Sequence, residues 1–341
     1  MSTKQTVSGT WLISVLEQFE AQHIPISALA DAPWLLEASE RNPTRPLQML
    51  AVRRIWHQAT KCVDDPLLGI RVGLNLSLQA VNVIAWIAIH SPTLRQSLTH
   101  SIRYQSLISN SGTFELEPDG EGLCVNYRIA SAPVPMHPAQ IDSVFAGLLR
   151  LLRTCRSNPL KPELVALPGA QPQWRTDYEN LLQCTVVESS KTPHLKFSAA
   201  DLDKPYSAAD PHLLQMAIRR AQDLVQAQHR TESLVDHVRA MIDAQGVAKA
   251  SCQSVADAMN MSVRTLQRRL EACGTHFRRL LEATRMEQAL RLLADSQQPL
   301  SSIAEILGYS DQSGLSHAVR AHWGSSPREL REEMIMQYKS T

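Results

Sequence analysis

None of the patterns GxSxG, P-loop, GxGxxG or HExxH occurs in the 341 residues. The sequence therefore offers no strained nucleophile turn, phosphate cradle, dinucleotide loop or paired zinc histidines, and a non-enzymatic role is expected. Six cysteines (62, 124, 155, 184, 252 and 273) are scattered, with no CxxC pair. That spacing argues against zinc and suits reduced thiols in the cytoplasm. His90, His100, His137 and His194 fall on different predicted elements without carboxylate or cysteine neighbours, so neither a metal nor a cofactor is expected. Long apolar runs are missing as well. Val81 to Ile89 is interrupted by Asn82 and reaches about half of the ~20 residues a membrane span needs. The start Met-Ser-Thr-Lys-Gln-Thr leads into a polar-faced helix without a signal peptide, so a cytoplasmic, membrane-free protein is expected. A large charge imbalance is also absent. The net charge is +1 with 20% charged and 44% hydrophobic residues, which excludes a disordered or supercharged chain. Any affinity for nucleic acid must come from local clustering of charge.

What is present divides into two regions of different pattern, as the length suggests. Apolar spacing predicts helices over 10–22, 47–61, 78–89 and 93–109, while Pro25, Pro33, Pro43 and Pro46 break the chain between the first two. Asp64-Asp65-Pro66 fits a cap and first turn for a helix reaching Asn75. Thr113-Phe-Glu-Leu-Glu alternates, Pro118-Asp-Gly-Glu-Gly turns, and Leu123 to Ile129 alternates again, which predicts a β-hairpin. A helix is then predicted over 137–156. Short strands at 163–167 and 194–197 flank a helix near 174–182. Residues 1–205 are therefore expected to form an α+β regulatory domain with a small antiparallel sheet. Trp56, Trp86 and Trp174, and separately Arg71, Arg103 and Tyr104, are candidates to line an effector pocket; core packing or ion pairing are their plainer roles. Asp210-Pro211 opens a helix to about 230, whose stripe of Leu213, Leu214, Ala217, Ile218, Ala221, Leu224 and Val225 suits either a dimer seam or packing on its own domain. Residues 206–231 are taken as a linker or dimerisation helix.

From 232 to 335 only helical patterns occur, at 232–244, 252–259, 262–272, 276–294, 299–307, 312–322 and 326–337. Two helix-turn-helix units, about 252–272 and 300–322, are joined by a central helix. In the first, Val255, Ala256, Met259, Leu266 and Leu270 form the inward set, and Ser262 is a good cap. Arg264, Gln267 and Arg268 stand at i, i+3 and i+4 on one outward face. Recognition helices use their N-terminal residues to reach base edges, where arginine suits guanine and glutamine suits adenine; Thr265 and Arg269 are better placed for phosphates. Seven arginines against three glutamates between Asn260 and Arg291 supply the local charge. In the second unit Ile303, Ala304, Ile306 and Leu307 are the inward set, Gly308-Tyr309 turns, Ser310 or Asp311 caps, and Leu315 and Val319 are buried. Gln312, Ser313, Ser316 and His317 are presented outward. A connecting helix from about Phe277 to Ala294 is ~27 Å long, against ~34 Å between successive major grooves on one DNA face. One chain is thus able to address two grooves.

The stretch Arg285-x3-Ala289-x2-Leu292-Leu293, then Ile303-Ala304-x3-Gly308-Tyr309-x-Asp311-Gln-Ser313-x-Leu315-x-His317, ending in Trp323-Gly324-Ser-Ser-Pro327-Arg-Glu-Leu330, resembles the AraC/XylS family of bacterial transcription regulators over about 232–335. The resemblance implies a seven-helix DNA-binding domain with base contact at Arg264, Gln267 and Arg268 and, in the second unit, at Gln312, Ser313 and His317. His317 stands where the family often has arginine, and Val319 where phenylalanine is common; Arg320 is then a candidate phosphate contact. Asp65-Pro-Leu-Leu-Gly-Ile-Arg-Val-Gly73, Ser91-Pro-Thr-Leu94 and Arg103-Tyr104 are similar to the subgroup with an arabinose-binding-like N-terminal domain. That similarity implies an effector-sensing domain for a small molecule that the sequence does not identify. The expected partners are double-stranded promoter DNA, RNA polymerase, this effector and a second copy of the chain, with activation as the expected outcome. Two alternatives remain open: a DNA-binding protein without an effector, and an enzyme with a helical accessory domain.

Overall fold

A computed structural model describes residues 5–29, 32–41, 46–132, 134–154, 160–189, 192–273, 275–294, 298–323 and 325–332. The chain divides into two compact units, residues 1–225 and 226–341.

The first unit opens with strand β1 (Thr6–Ser8) and helix α1 (Gly9–Ala21), followed by α2 (Ala32–Arg41), β2 (Pro46–Gln48), α3 (Met49–Cys62) and α4 (Leu68–Asn75). Ser8 caps α1 by accepting from the Trp11 amide, and β1 pairs antiparallel with β2. Trp11, Leu12, Leu16, Phe19, Val52 and Trp56 form one core here, with the Phe19 and Trp56 rings edge to face at 4.9 Å. Trp56 is thus a core residue. Pro33 does not prevent α2, because proline in a first turn forfeits no helical hydrogen bond. Next come α5 (Val83–His90), α6 (Leu94–Arg103), hairpin strands β3 (Gly112–Asp119) and β4 (Gly122–Ile129), then α7 (Pro138–Thr154). Strand β5 (Leu164–Leu167), α8 (Arg175–Leu182), β6 (Val186–Glu188), β7 (His194–Phe197) and α9 (Ala199–Leu202) complete the sheet region. The sheet order is β3-β4-β7-β5-β6. Its pairs are antiparallel except β5 with β6, where α8 supplies the crossover that parallel strands require. Val125, Phe145, Val165, Leu195 and Phe197 lie in the second core, between α7 and the sheet. Helix α4 lies so close to α7 that a methyl at Gly69 would overlap the Ala139 carbonyl.

Four expected helices take other forms, in three places. The span 78–89 is a 3-10 turn at Leu78–Val81 and then α5, divided at Asn82, whose φ is 48°; asparagine tolerates this region better than most residues. The helix expected to reach 109 ends at Arg103 because tertiary hydrogen bonds claim the next segment. The Ser8 amide donates to the Ile108 carbonyl (2.7 Å), and the Gln105 carboxamide bonds both backbone groups of Phe114. Third, 210–230 and 232–244 belong to one helix, α10 (Pro211–Gln245), since neither glycine nor proline interrupts 212–245. Leu214, Ala217 and Ala221 are buried in the core of the first unit, with Ile218, Leu224 and Val225 packed against it, whereas Leu213 and Met216 are exposed.

In the second unit, the end of α10 leads into α11 (Cys252–Ala258), α12 (Val263–Ala272), α13 (Phe277–Ala294), α14 (Leu300–Leu307) and α15 (Gln312–Trp323). The final predicted helix is described over 327–332; the remainder lies outside the described residues. No strand occurs among the described residues of this unit.

Candidate nucleic-acid interface

The first helix-turn-helix unit is fixed at both helix starts by side chains. Ser251 and Ser254 form a reciprocal capping box at α11, which satisfies two amides that a helix start otherwise leaves free. The Ser254 hydroxyl also donates to Gln245 Oε1 (2.6 Å) at the end of α10. Ser262 caps α12 by accepting from the Thr265 amide (3.2 Å). Val255, Ala256, Leu266 and Leu270 are fully buried, while Met259 is only half-buried. The opposite face of α12 presents Arg264, Gln267, Arg268 and Arg269 to solvent. Thr265 is half-buried, with its hydroxyl 2.9 Å from the capping Ser262 hydroxyl, so any phosphate contact by Thr265 competes with the cap.

In the second unit, Leu300, Ile303, Ala304 and Leu307 make the buried stripe of α14, and Leu315, Val319 and Trp323 that of α15. Ile306, expected inward, is 48% exposed. The sequence i, i+3, i+4, i+7 from Leu300 places the stripe on 303, 304 and 307 and leaves 306 off it. Asp311 caps α15 by accepting from the Gly314 amide (2.8 Å). Gln312, Ser313, His317 and Arg320 are exposed, and Ser316 is half-buried. Gly308 ends α14 at φ 80°, and a Cβ there would come within 2.9 Å of Ala248. This turn thus needs glycine twice over, for its left-handed backbone and for its close approach.

The 18-residue α13 joins the units. Arg285 on α13 donates to the Val247 carbonyl (3.2 Å), pairs with Glu282 (3.2 Å), and lies 5.3 Å over the Tyr309 ring. The Tyr309 hydroxyl donates to the other Glu282 oxygen (3.2 Å). Burial first, and the Glu282 carboxylate second, push the Tyr309 phenol well above its ordinary pKa, so it remains a donor. At the far end Arg331 donates to the carbonyls of Leu293 and Gln298. In the sequence Arg285 stands in a family pattern without a role of its own, and Tyr309 is read only as part of the turn with Gly308. The i, i+3 spacing of Glu282 and Arg285 was the available signal.

The other residues singled out from the sequence belong to the first unit. Arg71 pairs with Asp65 at 3.1 Å, and Tyr104 is buried with the Arg103 guanidinium 5.9 Å from its ring. Trp86 is exposed and stacks on His90; Trp174 is also partly exposed. Among the described residues no three His, Cys, Asp or Glu are grouped to hold a metal ion, and no helix is long and apolar enough to cross a membrane.

Two capped helix-turn-helix units, each with a polar face turned outward on a helical unit separate from an α+β one, define a DNA-binding transcription regulator. The comparisons narrow the class. Residues 26–206 match the arabinose-binding domain of AraC transcription regulators, and residues 255–333 match a helix-turn-helix domain. The chain belongs to the AraC family of transcription regulators, with the effector-type N-terminal domain of that family. It is 24% identical over 336 residues to the ornithine utilization regulator of Pseudomonas aeruginosa, covering 97% of both chains. It is 27% identical over 273 residues to the regulator VirS of Mycobacterium tuberculosis, covering 79% of each. The transcriptional regulator CdpR from Pseudomonas aeruginosa, a solved structure, aligns over 94% of this chain and 97% of its own at 18% identity, with a TM-score of 0.47.

Proposed function

We propose that the two recognition helices read consecutive major grooves of promoter DNA and do so unequally. Arg264, Gln267 and Arg268 contact base edges, with Arg269 and Thr265 on phosphates. Gln312, Ser313, Ser316 and His317 face the second groove, and Arg320 a phosphate. The observation that carries this is α12 itself: arginine, glutamine and arginine stand exposed at i, i+3 and i+4 while Leu266 and Leu270 of the same helix are buried, the arrangement from which side chains reach base edges. The protein acts in the cytoplasm as a regulator and not as an enzyme, with residues 1–205 holding a small-molecule effector. It works as a homodimer, for which the exposed Leu213 and Met216 on α10 are candidate contacts within the linker segment 206–231. Effector binding changes promoter occupancy or contact with RNA polymerase, raising transcription. Such control requires the effector to bind one arrangement better than another, typically by about 1–3 kcal/mol. The full-length likeness to a protein named for ornithine utilisation makes ornithine and related metabolites the first compounds to screen by thermal shift. The test is selection of binding sites from randomised duplex DNA by the purified chain, then mobility shifts at several salt concentrations. Recovery of a defined motif spanning two boxes is expected. Recovery of unenriched sequence, with and without metabolite extracts, overturns the proposal.

A further inference from the structure

The DNA-binding unit carries a half-buried polar node built from Glu282, Arg285 and Tyr309. Arg285 keeps 18% of its side-chain surface exposed, so it is not placed as a phosphate contact. Its guanidinium instead joins three segments: α13 through Glu282, the turn of the second helix-turn-helix unit through the Tyr309 ring, and the loop leading into the first unit through the Val247 carbonyl. Glu282 uses both oxygens, one on Arg285 and one on the Tyr309 hydroxyl. Beside the node, Gly308 fits against Ala248 with no room for a side chain. Apolar packing is not directional and tolerates small slips. A planar guanidinium held by a carboxylate, a ring face and a carbonyl admits one arrangement.

We propose that Arg285 and Tyr309, through Glu282, are positioning residues that set the separation and orientation of the two recognition helices for binding to two grooves. The proposal rests on the two-groove reading of the interface. Once one unit is seated, the second binds within the same molecule. Its benefit is set by an effective concentration that falls when the connection allows more orientations. Loosening the node therefore lowers affinity for DNA with both boxes and leaves affinity for a single box unchanged.

The experiment uses the full chain and the two-box duplex selected by the wild type. Companion duplexes have either box scrambled or the boxes moved apart by one base pair. Arg285→Gln is expected to weaken two-box binding about tenfold, and Tyr309→Phe, which removes one hydroxyl, about threefold. Both should keep single-box binding within about twofold of wild type and show a smaller penalty than wild type for the altered spacing. Arg285→Lys keeps the charge but not the planar fork and is expected to recover only part of the loss. Equal losses on two-box and single-box DNA, or an unchanged spacing penalty, overturn the positioning role while two-groove binding stands. If scrambling either box leaves wild-type affinity unchanged, the two-groove reading itself fails and the positioning role goes with it. Circular dichroism checks folding. Should Arg285→Gln not fold, Tyr309→Phe decides the same comparison.

Discussion

The two units place their polar chemistry on opposite sides of their surfaces. The DNA-binding unit turns arginine, glutamine and serine outward from helices whose inner faces are leucine, isoleucine and alanine. The N-terminal unit buries its distinctive polar groups instead. Arg53, 1% exposed, donates to the carbonyls of Val134 and Ala130 and to Gln5. Asp142, equally buried, lies 2.6 Å from the Tyr178 hydroxyl, which is also 3.1 Å from the Pro66 carbonyl. A phenol has one hydrogen and cannot donate to both acceptors. A protonated Asp142 resolves this, because it donates to Tyr178, which then donates to Pro66. Burial is the main cause that pushes the Asp142 carboxyl up to about 7; hydrogen bonds that Tyr178 and Gly169 give to the ionised form oppose the rise. The difference teaches that one unit is built to be touched by a macromolecule, while the polar groups of the other hold its own interior together.

The largest effect that separates the units comes from Asp142→Asn. The folded pKa of about 7 lies above the ordinary 3.8, so the folded state holds this proton more tightly than the unfolded state. Stability is therefore lost as pH rises from about 4 through 7 and levels off above. His137 works in the opposite sense, since burial lowers it to about 4; its penalty is felt as pH falls below 6.5. Comparing variant with wild type cancels the histidine. The asparagine variant should gain stability over wild type as pH rises, by on the order of a few kcal/mol at pH 8. Five of the six tryptophans lie in residues 1–225, so tryptophan fluorescence during denaturant unfolding tracks this unit. A difference that is flat with pH would show that Asp142 is not held protonated. Next in size, Gly69→Ala forces α4 away from the Ala139 carbonyl on α7. It should cost about 2–3 kcal/mol in the same transition while leaving the helical content of residues 226–341 in place. Simultaneous loss of both units would break the comparison.

The contrast also explains what was legible in the sequence. Residues on one helix face are separated by three or four positions, so Arg264, Gln267 and Arg268, the buried Leu266 and Leu270, and the cap Ser262 could all be read from spacing, while the second cap was narrowed to Ser310 or Asp311. The β3–β4 hairpin was equally local. Asp142, Tyr178 and Pro66 are 36 and 112 positions apart, and Arg53 meets carbonyls 77 and 81 positions away. No periodicity announces such groups. The early end of α6 and the pairing of β1 with β2 failed to register for the same reason: partners distant in sequence override local propensity.

On the outward side, Arg268→Ala should cost about 1–3 kcal/mol of binding on the selected two-box DNA and relax preference at one base position. Its unfolding should stay within about 0.5 kcal/mol of wild type, because Arg268 is exposed. Competition mobility shifts with base-substituted sites provide the check. An equal loss on random DNA would make Arg268 a phosphate contact only.

The smallest effect tests the inequality between the two recognition helices. Helix α12 starts at a neutral serine cap and exposes three arginines. Helix α15 starts at an aspartate cap and exposes His317 and Arg320. A carboxylate at a helix start suits the helix dipole, yet in the proposed docking it sets a negative charge at the end that approaches the phosphates. The second unit therefore has less attraction to give. His317→Arg adds a permanent cation on the exposed face without touching the buried Leu315 and Val319. It should strengthen binding by less than about 1 kcal/mol. Its clearer signature is ionic strength: one further phosphate contact steepens the logarithmic dependence of affinity on salt by about 0.9. The steepening should vanish on a duplex whose second box is scrambled. Weaker binding by the arginine variant, with an unchanged salt slope, would mean that His317 makes a contact of its own in the second groove and that the two helices are closer to equal than their charges suggest.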